Sequence, residues 1–287
     1  MKDNWFLFLF KSKPYQFPGM LSSMVSMGLV TAFAVFLHNK YNILEIPIPT
    51  SFHTVLGLVV GLLLVFRTNT AYERWWEGRR QLGTMVNSLR NLAIQVEASL
   101  TNHKYSEKNI LKKLIASYSW CLKNHLREQD FSLASQKLPE NVINKFMKAP
   151  HKPNFLVLEI SKHLQKALEQ KHISNEQLLS MQNDIKELVN VQGACERIRN
   201  TPMPMGYALH LKRILLIYIV TLPIGFIDEL QWWAVPTVML IFYTMVGIER
   251  MGEEIEDPFG TDPNDLPFDG IDERVTANMN TLISDNE

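Results

Sequence analysis

Residues 46–80 constrain this chain more than any other stretch. They begin IPIPTSFHTVLGLVVGLLLVF, an uncharged run about as long as the roughly 20 residues that cross a bilayer. At Arg67 the run passes into RTNTAYERWWEGRR, where Ala71, Glu73, Arg74 and Glu77 all suit a helix and no Gly or Pro intervenes before Gly78. The pattern predicts one continuous helix that crosses a membrane and continues into water. Arg67 marks the exit, because a charge at the bilayer centre is costly. Gly57 and Gly61 form a GxxxG, a spacing that lets a second helix approach the backbone closely. The polar group of the span is His53, with Thr50, Ser51 and Thr54 beside it.

Three further apolar runs accompany it. Residues 20–37 carry no charge and are rich in Ser, Gly and Ala, as expected of a span packed against others. Residues 214–227 are short for a span unless 207–211 join them, and Pro223 predicts a kink. Residues 232–248 return with Trp232 and Trp233 at the interface. The reading is four spans in two hairpins, with connections at 38–45 and 228–231. The chain then divides into 1–66, an interfacial segment plus the first hairpin; 67–213, a water-soluble helical region; 214–248, the second hairpin; and 249–287, an acidic tail. Lys11, Lys13, Arg67, Arg74, Arg79, Arg80, Lys212 and Arg213 all fall on the side that carries both termini. That bias makes it the cytoplasmic side of a multi-pass membrane protein. The start, MKDNWFLFLFKSK, reads as an aromatic interfacial segment rather than a cleavable leader.

Within 67–213 apolar residues recur at helical spacing, through Leu82, Met85, Leu89, Leu92 and Val96, and again through Leu111, Leu114, Ile115, Tyr118 and Leu122. Prolines 139, 150 and 153 mark short helices and turns, while Ser174 and Gln177 are spaced as a capping box. A net charge of zero argues against nucleic acid as a partner. Cys121 and Cys195 have no metal or disulfide spacing, and the hydrolase, nucleotide and zinc-protease motifs are absent. The sequence therefore points away from enzyme chemistry.

FRTNTAYERWWEGRRQLG at 66–83 and IEDPFGTDPNDLP at 255–267 together resemble the bestrophin family of pentameric ion channels, in its bacterial branch. The resemblance covers nearly the whole chain and is weakest over 102–170. It implies an all-α membrane protein with four transmembrane helices and a large helical cytoplasmic region. Five copies would surround a pore that conducts small ions passively, chloride and other anions in the family at large. Cation selectivity is the alternative, and a non-conducting scaffold is a further one. A secondary transporter is disfavoured, because the two hairpins show no repeat.

The same resemblance places a hydrophobic neck on the second span, at Ser51, Val55 and Val59, or in a shifted register at Thr54, Leu58 and Leu62. Rings of apolar side chains in a narrow tube gate by dewetting. Family necks are bulkier, so valine implies a wider constriction. A cytoplasmic constriction is implied at Glu176 or Leu178. A Glu176 ring would favour cations and a Leu178 ring would be neutral, although Glu176 also suits a helix N-terminus. In animal bestrophins the tail motif is a dense acidic cluster that clasps calcium. Here Asp257, Asp262 and Asp265 remain, while Thr261, Pro263 and Asn264 stand at acidic positions. The expectation is a tail that braces subunit contacts, with no cofactor and calcium doubtful.

Overall fold

The computed structural model describes residues 19–41, 50–100 and 108–282. The N-terminal interfacial segment and residues 42–45 of the first connection lie outside the described residues. Among the described residues all regular structure is helical. In chain order the helices are α1 (Met20–Tyr41), α2 (Thr50–Ser99), α3 (Lys108–Leu126), α4 (Ala134–Lys137), α5 (Glu140–Lys148) and α6 (Lys152–Glu169). They continue as α7 (Asn175–Asn200), α8 (Met205–Leu230), α9 (Ala234–Glu256) and α10 (Phe268–Leu282), with a 3-10 turn at Gln231–Trp233. The chain forms two compact units, Met1–Tyr72 with Met203–Glu256 and Glu73–Pro202 with Asp257–Glu287.

The first unit holds the apolar helices. Among the described residues, three helical stretches are long and apolar enough to cross a membrane: α1, α2 and Met205–Glu256. The last is two spans, α8 and α9, doubled back through the 3-10 turn, where Gln231 takes a left-handed φ of 49°. The turn comes later than the charges at 228–231 suggest. Asp228 and Glu229 stay helical because both find partners: Asp228 lies 3.2 Å from His38 Nε2, and Glu229 accepts the Thr50 hydroxyl at 2.7 Å. Pro223 sits inside α8 without ending it.

Packing within this unit depends on small residues. At Gly57 an added Cβ would overlap the Tyr218 hydroxyl of α8, whereas nothing lies within 4 Å of one at Gly61. Of the predicted GxxxG pair, only the first glycine serves a contact within the chain. At Gly225 of α8 the His53 ring packs so closely that an added Cβ would stand 2.8 Å from its Cε1 and Cγ.

The second unit is built on the predicted periodicity. Leu82, Met85, Leu89, Leu92 and Val96 of α2 share one buried cluster with Leu111, Leu114, Ile115, Tyr118 and Leu122 of α3. The Tyr118 hydroxyl, buried here, donates to the Leu188 carbonyl of α7 at 2.9 Å. Trp120, Phe131 and Phe155 surround Phe146. Helix α10 is not among the elements expected from the sequence. Phe268, Ile271, Val275 and Met279 are all buried in the same cluster, and their spacing of three and four is the signal that could have found it. Each such side chain contributes about 1.5–3 kcal/mol when fully buried, enough to hold an otherwise acidic tail in place. Charge completes the docking: Lys123 Nζ and Arg127 Nη1 reach the Asp269 carboxylate at 2.8 and 2.7 Å, and these hydrogen bonds hold its pKa down at about 2.

Candidate ion pathway

Helix α2 has two chemically distinct faces over residues 50–72. One is buried: His53, Val60, Leu64, Arg67 and Ala71 are all within 2% of complete burial. The opposite one is exposed. At about 100° per residue, positions 51, 55, 58, 62, 65, 69 and 72 form a single stripe, and every one of them is exposed. Val55, Leu58 and Leu62 are 62%, 75% and 54% exposed. Ser51, Thr54 and Val59 are exposed as well, so both neck registers implied by the sequence lie on one face. No charged residue occurs on that face from Ser51 to Tyr72.

Where α2 turns polar, Arg67 is buried rather than solvated. Its Nη1 donates to Glu249 Oε1 of α9 at 2.9 Å, and its Nη2 lies 3.7 Å from Glu256 Oε2. Lys212 of α8 joins through Glu253 at 2.8 Å and Glu249 at 3.6 Å. Glu256 Oε1 also accepts the Met203 N–H at 2.8 Å. Glu249, Glu253 and Glu256, at spacings of four and three, share one face of α9. In the sequence alone, the acidic run at 253–257 reads as a solvated surface. Glu249 and Glu256 are instead the counter-ions of a cation that could not otherwise be buried.

Glu176 is the second residue of α7 and is exposed. The predicted capping box is present: Ser174 Oγ accepts the Gln177 N–H at 3.2 Å, and Gln177 Oε1 accepts the Ser174 N–H at 2.8 Å. Ser174 Oγ also lies 2.6 Å from Glu176 Oε2, and this hydrogen bond holds the Glu176 pKa below its ordinary value. Leu178 lies half-buried against the core of the second unit, and Leu179 is the exposed leucine, at 67%. The two constriction candidates are thus not equivalent: Glu176 projects outward and Leu178 packs inward.

The bacterial/fungal bestrophin family profile matches residues 1–281. The chain belongs to this family. Among its curated relatives is a voltage-dependent anion channel-forming protein of Nostoc sp., 35% identical and covering 99% of this chain and 93% of its own. Another protein of that description, from Synechocystis sp., is 39% identical over 82% of this chain and 78% of its own. A solved point variant of a bacterial bestrophin homolog from Klebsiella pneumoniae superposes with a TM-score of 0.87 at 26% identity. The match covers 93% of this chain and 99% of the other.

The tail motif of this bestrophin folds onto its own chain. Phe259 and Leu266 are buried and, with Pro258, close over Gly78 of α2. Trp75 Nε1 donates to the Asn264 carbonyl at 2.9 Å, and Arg127 Nε to the Phe259 carbonyl at 2.9 Å. Arg74, on the same turn, donates to the Ile198 carbonyl at 2.6 Å and to that of Thr201, closing the C-terminus of α7. Asp265 turns inward, with its Oδ2 accepting the Asp262 N–H at 2.6 Å, while Asp257 and Asp262 remain exposed. Among the described residues, the three do not gather as a metal-sized cluster. Within its own chain the motif forms a loop that clips α2 and α3.

Proposed function

We propose that this bestrophin is a passive anion channel, a homopentamer in the bacterial inner membrane with both termini cytoplasmic, in which the exposed stripe of α2 lines the narrow part of the pore. The observation that carries the reading is that stripe. From Ser51 to Tyr72 it offers no charge, small polar groups at Ser51 and Asn69, and bare Val55, Leu58 and Leu62 between them. A helix repeated around an axis needs one face free of its own chain's core, and α2 has one. A neutral apolar tube selects by dehydration, which favours weakly hydrated anions such as chloride and imposes no fixed charge against them. The names of the Nostoc and Synechocystis relatives support anions as well.

A cation channel is the second reading, and Glu176 favours it. Five copies of a solvent-facing carboxylate, held ionised by Ser174 at a helix tip, would form a cation-attracting ring. Reversal potentials in planar bilayers under a KCl gradient decide between the two. Wild type should reverse near the chloride equilibrium potential, and Glu176→Ala should leave that value unchanged. Reversal near the potassium potential, moving toward zero in Glu176→Ala, would establish the cation reading.

A further inference from the structure

Away from the pore helix, three ligand-type side chains from distant parts of the sequence converge within the second unit. His125 lies in the last turn of α3, His151 is the N-cap of α6, and Glu196 sits in the last third of α7. Glu196 Oε1 meets His125 Nε2 and His151 Nε2, each at 3.0 Å, across 71 and 45 residues of sequence. The two rings stand 4.6 Å apart at 47°. All three ligand atoms lie within 4.8 Å of one another, the one such group among the described residues. The side chains are 28%, 33% and 26% exposed, shielded but open to an ion from solvent.

We propose that His125, His151 and Glu196 form a divalent transition-metal site, with zinc the best-suited ion and water in the fourth position. Two imidazole nitrogens and one carboxylate are a zinc-type ligand set, whereas calcium and magnesium prefer oxygen alone. Tetrahedral zinc with bonds of about 2.1 Å separates its ligands by about 3.4 Å. The two 3.0 Å separations need only a small widening to admit it. His151 Nδ1 lies 3.4 Å from the Asn154 N–H, a cap contact longer than an ordinary hydrogen bond; metal at Nε2 would require the ring proton on Nδ1 and give up this contact. An ion here would tie α3, α6 and α7 together and stabilise the fold that binds it.

The test uses full-length protein, solubilised in detergent and stripped with a chelator. Titration with zinc sulfate by calorimetry should give one ion per chain, and zinc should raise the melting temperature. Cobalt(II) should give the intense visible bands of a tetrahedral site. Glu196→Gln keeps the shape and should weaken zinc at least about tenfold. The double variant H125A/H151A should lose both the binding and the cobalt bands, while His163→Ala, on another face of α6, should change neither. Wild type that takes up no stoichiometric zinc would overturn the proposal. So would a helical double variant, or Glu196→Gln, that binds zinc as wild type does.

Discussion

Replacing Arg67 with Met should destabilise the first unit by about 3–5 kcal/mol, the cost of leaving buried carboxylates without their cation. Glu249 and Glu256 have side chains only 7% and 16% exposed, and Arg67 is the cation between them. Lys212, 3.6 Å from Glu249 and already held by Glu253 at 2.8 Å, compensates only partly. Arg67→Lys should fall between, because an ammonium cannot present the two-pronged donor that reaches both acids. Thermal melting of the detergent-solubilised protein checks this. The double variant Arg67→Met/Glu249→Met should regain a large part of the loss, since removing both members of a buried pair costs far less than removing one. A single Arg67→Met variant that melts within about a degree of wild type would contradict this account of the network.

The second large effect is steric. Gly225→Ala should destabilise the packing of α2 on α8 by about 1–3 kcal/mol, the usual range for forcing a methyl into a filled interior. The atoms in its way belong to the His53 ring, which is 1% exposed and cannot swing aside as a long flexible chain would. His53→Ala in the same background should restore stability by vacating the space. Gly61→Ala is the matched control: nothing lies within 4 Å of its Cβ, and alanine is the better helix former by up to about 1 kcal/mol. Melting temperatures that fall equally for Gly225→Ala and Gly61→Ala would show that contact with His53 is not the cause.

Much of this architecture is legible in the sequence because it follows from periodicity and punctuation. The apolar runs mark the spans, the three-and-four spacing of Leu82 to Val96 marks the core of the second unit, and Ser174 with Gln177 marks a helix start. Partnering decides the features that stay hidden. Asp228 and Glu229 read as a turn by themselves, yet Thr50 and His38 supply partners that keep them helical. Arg67 reads as a solvated exit residue, yet α9 brings Glu249 to it. His125, His151 and Glu196 carry no sequence signal, because only the tertiary fold brings their three elements together. Leu178 and Glu176 illustrate the same limit at a finer scale. Two residues apart on a helix, they face different ways, and spacing alone does not say which way is inward.

The central claim is that the exposed stripe of α2 lines a water-filled ion path, and thiol accessibility tests it most directly. The native cysteines, Cys121 and Cys195, are buried, so an introduced thiol reports alone. Leu58→Cys and Leu62→Cys are placed on the stripe, and Leu216→Cys of α8, itself 62% exposed and apolar, serves as the comparison. A small charged methanethiosulfonate added to channels in planar bilayers should change the current of the two α2 variants strongly and leave Leu216→Cys unaffected. Currents that persist unchanged in both α2 variants, or that respond only at Leu216, would place the ion path elsewhere and contradict the account.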